Sequence, residues 1–294
     1  MTNRPLLLAV PNVSEGRDTS VVREVGAAFA PAKLLHTHSD ADHGRSVYTL
    51  AARQGEFAGA LVAGARAALE RIDLRGHTGL HPHVGALDVL PVVYLDDERR
   101  GAACAEALTA AALIADELGA PVFLYGELAT DPGRRERAAL RAGGIERLTA
   151  RVASGELRPD YGPSRVEPRA GAILVAARPP LVAFNLDLDS DDLDLARRIA
   201  AEIRESGGGL AGVRAIGLPL AARGRAQVSM NLEDPRRTPL ADVVAAVRAR
   251  APVVEAEIVG LAPRSALVGF PRDVAIRGFD PARQVIEDAL RSIE

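Results

Sequence analysis

The chain has 294 residues, 48% hydrophobic and 26% charged, with a formal net charge of −3. That supplies a core for one large domain or two ordinary ones, and it lacks the basic, aromatic-rich face that nucleic-acid binding needs. The single cysteine, Cys104, excludes an internal disulfide framework and a cysteine metal cage. With 3% aromatics and no Trp, the core must be aliphatic, and Lys33 is the one lysine among many arginines. No charged-then-apolar leader opens the chain. The most apolar interior stretch, 170–188, is broken by Arg178-Pro179-Pro180, so no bilayer span is expected and the protein reads as soluble and cytoplasmic.

Residues 6–10 read as a short strand ending at Pro11, and Asp18 or Thr19 can cap a helix running to Phe29. Strands are predicted over 34–37 and 46–51 around the polar turn Asp40-Ala-Asp42-His43-Gly44-Arg45. A helix follows over 56–71, a strand over 86–94, a long Ala-rich helix over 98–118 and a strand over 122–125. Helical segments over 134–141 and 145–153 are separated by Gly143-Gly144. The Pro- and Gly-rich stretch 157–171 is a candidate linker or ligand-facing loop. Beyond it, strands over 172–177 and 181–187 flank an Arg-Pro-Pro turn. Then come a helix over 193–205, strands over 213–218 and 226–232, a helix over 240–250, a strand over 253–259 and a closing helix over 281–293.

The expected fold class is α+β. Two related α/β-sandwich-like subdomains, 1–178 and 179–294, each carry a mostly antiparallel sheet with helices on the outer face, and a cleft lies between them.

Chemistry concentrates in His77-Thr-Gly-Leu-His81-Pro82-His83-Val-Gly-Ala-Leu-Asp88, which holds three of the six histidines. Imidazole exchanges protons near neutrality, and Pro82 biases His81 toward extended backbone, which suits a ring held out from a loop. Solvated loop histidines are the plainer explanation for His77 and His83. A metal reading uses the same nitrogens, but Gly79 and Pro82 break any helical ligand spacing and no Cys or Glu completes the set, so no metal is expected. The turn around Asp40 and Arg45 could clamp a carboxylate or could be a local salt bridge. Asn12, Ser14 and Glu15 emerge at the end of the first strand, where ordinary turn and cap chemistry would also place them.

Val10-Pro11-Asn12-Val13-Ser14-Glu15-Gly16, the Asp40-x-Asp42-His43-x-Arg45-Ser46-Val47 turn and Gly79-x-His81-Pro82-x-x-Gly85-Ala86-Leu87-Asp88 together resemble the glutamate formimidoyltransferase family. Phe123-Leu124-Tyr125-Gly126-Glu127, Gly162-Pro163 through Gly171-Ala172, Ala183-Phe184-Asn185, Gln227-Val228-Ser229-x-Asn231-Leu232 and Glu257 to Pro263 extend the match in order across most of the chain. No single motif decides it; the ordered set is specific.

The resemblance implies two α+β subdomains with folate between them, and transfer of a formimino group between N-formimino-L-glutamate and tetrahydrofolate in histidine breakdown. It implies His81 as the catalytic histidine and assigns folate contact to the loop holding Gly162, Pro163, Ser164, Arg165, Pro168, Arg169 and Gly171. Asn12, Asp40 and Arg45 are candidate substrate-binding residues. Animal members carry a fused cyclodeaminase domain; only the transferase is expected here, as a homodimer. The sequence departs from the family pattern at His38 (acidic in animal members), Gly44 (usually Asn) and His83 (often Arg), which bears on substrate detail and on how His81 is oriented. Formyl transfer, or another 5-formyltetrahydrofolate-linked activity on the same scaffold, is the nearest alternative. A metal hydrolase and a pterin-binding protein without activity are the more distant ones.

Overall fold

Strand segments broken at proline and helices built on alanine stripes make up the first 179 residues of the computed structural model, which describes residues 4–291 and 293. β1 (Leu6–Ala9) and β2 (Asn12–Val13) are one strand line interrupted at Val10-Pro11. α1 (Thr19–Ala28), β3 (Lys33–Asp40), β4 (Arg45–Arg53), α2 (Phe57–Arg71), β5 (Leu87–Val93), α3 (Arg100–Leu118) and β6 (Val122–Leu124) follow. Two short helices, α4 (Arg137–Arg141) and α5 (Gly144–Ala153), precede β7 (Ile173–Arg178). β4 lies between β3 and the β1/β2 line, and that line pairs on its other side with β5, all antiparallel. β7 then inserts between β5 and β6, parallel to both.

One face of this sheet is covered by α1, α2 and α3. Asp18 caps α1 by accepting from the Ser20 and Val21 amides. α2 buries Phe57, Ala60, Leu61, Ala65 and Ala68, a helical stripe, and α3 buries Ala103, Ala107, Ala110, Ala111 and Ile114. Small residues let these helices lie close: a Cβ on Gly64 would stand 2.0 Å from the Phe29 ring. Glu106 of α3 accepts from the Gly55 amide and, at 3.0 Å, the Ala58 amide, satisfying the start of α2, where Glu56 makes no side-chain cap. Val89, Phe123, Tyr125, Leu140, Leu148, Val152, Leu157 and Val166 form a separate core on the opposite face. Each large aliphatic or aromatic side chain so buried contributes roughly 1.5–3 kcal/mol before entropy is charged against it.

A second compact unit begins at Pro180. Its strands β8 (Val182–Leu188), β9 (Val213–Leu220), β10 (Arg225–Leu232) and β11 (Val253–Val259) form an antiparallel sheet in the order β11-β8-β10-β9. α6 (Leu193–Ile203) and α7 (Leu240–Arg248) join the core that holds Phe184, Leu186, Val228, Met230 and Ile258. Alternate residues of β8, β10 and β11 put Asn185, Asp187, Gln227 and Glu257 on the other face, buried but paired: Gln227 donates to Asp187 at 2.7 Å and Asn185 to Glu257 at 2.9 Å. Arg277 bridges Asp187, Glu255 and Glu257 at 2.8–3.0 Å.

Three expectations change. The first sheet is mixed, not mostly antiparallel, because β5, β6 and β7 are joined through helical connections, which suit parallel neighbours. The strands on either side of Arg178-Pro179-Pro180 are not a pair; β7 belongs to the first sheet and β8 to the second. The closing helix is two short ones, α8 (Pro281–Gln284) and α9 (Ile286–Leu290), broken at Val285, which bridges to Ala262.

The stretch 157–171 is also no linker. It crosses the first sheet from a Tyr161–Val122 bridge to a Gly171–Gly85 bridge. At that second crossing Gly171 has φ +73, and a Cβ there would lie 2.1 Å from the Val84 carbonyl oxygen. Gly171→Ala is therefore expected to lower unfolding free energy by about 2 kcal/mol or more, measured by urea denaturation. Wild-type stability in that variant would contradict the close crossing.

Candidate active site

A β-bulge sets the geometry. Asn12 stands opposite Val89 and Val13 opposite Leu87, so one step along β2 spans two residues of β5, and Asp88 is the extra one. The bulge leaves Asp88 fully buried, where its Oδ1 accepts from the Val84 amide at 2.9 Å. Its Oδ2 accepts from Arg45 Nη1 at 2.8 Å and from Arg141 Nη2. Arg45 spends its remaining donors on Asn12 Oδ1, Nε at 3.1 Å and Nη2 at 2.8 Å, while Asn12 Nδ2 donates to the Val10 carbonyl at 2.7 Å. Burial opposes the Asp88 charge, but Arg141 and Arg45 outweigh it and, with the Arg45 and Val84 hydrogen bonds, bring the carboxyl down to about 2. Burial likewise works against the guanidinium charges of Arg45 and Arg141; Asp88 opposes it only in part, and both pKa values are lowered. Removing one member of such a set leaves an uncompensated buried charge, typically costing about 3–5 kcal/mol.

The histidine loop is held against the 40–45 turn by main-chain bonds. Leu80 donates to the Asp42 carbonyl at 3.0 Å and His81 to the His43 carbonyl at 3.3 Å. The two backbones cross at glycines: a Cβ on Gly44, which has φ +61, would stand 2.7 Å from Gly79 Cα. Asp40 shapes the turn by accepting from the His43 amide at 2.8 Å. The N-terminal loop joins them, since Ser14 Oγ donates to the Gly85 carbonyl at 2.8 Å and Ser46 Oγ to the Glu15 carbonyl at 2.6 Å.

His81 is half-buried, and its Nδ1 lies 2.8 Å from the Pro82 carbonyl oxygen. A carbonyl only accepts, so Nδ1 carries the hydrogen and Nε2 presents a lone pair. Burial, then the charges of Arg45, Arg141, His43 and Arg137, hold the His81 pKa well below 6.5. The ring is thus neutral at neutral pH and suited to accept a proton. The His43 ring stands 6.1 Å away, and His77 and His83 meet edge to face at 4.2 Å. Burial, then His83, also lowers the His77 pKa. Among the described residues no group of three or more His, Cys, Asp or Glu side chains is arranged to hold a metal ion.

Of the residues singled out in the sequence, Asn12, Asp40, Arg45, His81 and Asp88 come together. The loop 162–171 is divided. Its end joins the histidine loop, with Ala86 donating to the Ala170 carbonyl and Ala172 to the Val84 carbonyl, both at 2.8 Å. Arg169 instead donates to the Leu69 and Glu70 carbonyls at 2.7 and 2.6 Å, closing the end of α2. Gly162, Pro163, Ser164 and Pro168 are exposed, as is Arg165, which pairs with Glu167 at 2.6 Å. Sequence reading missed Arg137 and Arg141, and it named Tyr125 only within a family motif. The two arginines are i,i+4 neighbours in a segment that looks like any polar helix face of an arginine-rich chain. Among the described residues, no helix is long and apolar enough to cross a membrane.

The family model for the formiminotransferase domain, N-terminal subdomain, matches residues 6–178, and that for the formiminotransferase domain matches residues 183–272. The chain is 37% identical to the glutamate formimidoyltransferase of Thermoplasma acidophilum, over 94% of each chain. It is also 37% identical to that of Streptococcus pyogenes serotype M1, covering 96% of this chain and 97% of the relative. The formimidoyltransferase-cyclodeaminase of Sus scrofa is 39% identical over 90% of this chain, which spans 51% of that longer protein. Both units are accounted for in order, and the chain belongs to the formiminotransferase family.

Proposed function

We propose that this chain transfers the formimino group between N-formimino-L-glutamate and tetrahydrofolate, as a glutamate formimidoyltransferase, with His81 as general acid and base. The observation that carries the reading is a neutral imidazole, its Nδ1 hydrogen fixed on the Pro82 carbonyl, beside the cationic cluster around Asp88. Names and near full-length identity of the relatives support the substrate class.

The chemistry needs a proton moved twice. The N5 amine of the reduced pterin attacks the amidine carbon, forming a C–N bond and a tetrahedral intermediate. His81 Nε2 takes the proton released from N5, then returns one to the departing glutamate nitrogen as its C–N bond breaks, leaving 5-formiminotetrahydrofolate and L-glutamate. Charge and atoms balance with no covalent enzyme intermediate. Arg45, itself braced by Asn12, holds Asp88, and through Val84 the exit of the histidine loop, in place. The stretch 162–171, exposed along most of its length and joined to that loop at Gly171, is assigned to folate. A structure with 5-formyltetrahydrofolate bound, showing this stretch remote from the ligand, would refute that assignment.

His81→Ala is expected to lower kcat by about a hundredfold or more with folate binding little changed. Steady-state assays with both substrates, beside a fluorescence titration with folate, check this; unchanged turnover removes His81 from the reaction. The working base is unprotonated His81, whose pKa lies well below 6.5, so kcat/KM should stay level from neutral pH downward and fall only below pH 6.5. A limb at or above 6.5 would count against the cationic surroundings assigned to the ring.

A further inference from the structure

Two guanidinium groups bind one carboxylate, and a third lies near enough to act on both of them. Arg45 and Arg141 both bind Asp88, and Arg137 lies one turn before Arg141 on the same side of α4. Arg137 is half-buried, and among the described residues its side chain makes no hydrogen bond or ion pair. Arg45 has every donor group engaged by Asn12 or Asp88. Arg141 does not: its Nε is buried with no partner, and so is the hydroxyl of Tyr125, whose side chain packs in the same core as Leu140 and Val84. Tyr125 lies near enough to Arg45 to act on its charge.

A surplus of buried positive charge with unused donors is costly unless an anion completes it. A planar carboxylate suits guanidinium donors, which it meets in paired hydrogen bonds. We propose that Arg137, together with Arg141 Nε and the Tyr125 hydroxyl, seats a carboxylate of the substrate, and that Arg45 is a positioning residue. This rests on the transferase reading above. Carboxylates come from two sources there, the formimino donor and the glutamyl tail of folate. The donor's α-carboxylate adjoins the nitrogen that leaves, whereas the folate tail is separated from N5 by an aryl ring. A seat whose charges bear on His81 therefore favours the donor.

The test compares wild type with Arg137→Gln, Arg137→Lys and Tyr125→Phe. It measures KM separately for N-formimino-L-glutamate and tetrahydrofolate, together with L-glutamate binding by calorimetry. Arg137→Gln is expected to raise the donor KM about tenfold or more, with the folate KM within about twofold of wild type. Arg137→Lys should recover part of the loss, and Tyr125→Phe should raise the same KM less. N-formimino-4-aminobutyrate, which lacks the α-carboxylate, should not distinguish Arg137→Gln from wild type. A rise confined to the folate KM would place the folate tail in the seat instead. Unchanged KM values with unchanged glutamate binding would overturn the seat. Should wild type bind glutamate through Arg137 yet fail to transfer the formimino group, the seat stands and the transferase reading falls.

Discussion

The buried Asp88 carboxylate is the constraint around which the first unit's chemistry is arranged. Its partners come from four places in the chain: Arg45 at the start of β4, Val84 at the end of the histidine loop, Arg141 at the end of α4, and, through Arg45, Asn12 at the break in the first strand line. Burial alone would neutralise the acid; two guanidinium groups and a main-chain amide keep it ionised. A charge set of this kind adds little net stability over apolar packing, and losing one member is severe. It nevertheless fixes where three loops sit relative to one another, and that is what the neighbouring histidine needs.

Glycines do the complementary part of that positioning. The histidine loop crosses the 40–45 turn at Gly44 and Gly79 and the 162–171 stretch at Gly85 and Gly171, each with backbone so near that a Cβ would overlap it. Gly44 also occupies the left-handed region at φ +61, which Asn, the residue the family resemblance expects there, also adopts more readily than most. That departure thus concerns backbone conformation more than chemistry. The Nδ1 of His81 meets the Pro82 carbonyl beside it, a contact within the histidine loop itself.

Much of the fold was legible because its signals are local. Strand and helix segments followed from apolar periodicity, and the His81–Asp88 segment stood out by histidine density and by glycine and proline punctuation. What was not legible is long-range. β7 and β8 are adjacent apolar runs around two prolines, and nothing local says that they enter different sheets, one of them parallel to its neighbours. The loop 162–171 read as one ligand-facing unit, yet Arg169 turns to the end of α2 while Gly171 locks the histidine loop. Arginine roles were hidden for a compositional reason. With lysine nearly absent, arginine serves every cationic purpose, so Arg137 and Arg141 carried no more signal than the arginines that form surface ion pairs. Asp88 looked like a strand residue, and only the bulge turns it into the centre of a charge cluster.

The cationic setting of His81 suits both halves of the proposed transfer. A low pKa makes imidazole a weak base but makes its protonated form a strong acid. Attack on the amidine carbon makes the N5 proton acidic, so a weak base is enough to remove it. The glutamate nitrogen is the harder leaving group, and it departs only as it gains a proton. An imidazolium formed beside Arg45, Arg141 and Arg137 is disfavoured by their charge and gives that proton up readily. A substrate carboxylate seated on Arg137 would soften the same repulsion while substrate is bound, raising the basicity of His81 when a proton must be taken. On that proposal the arginines around Asp88 would link substrate charge to proton transfer.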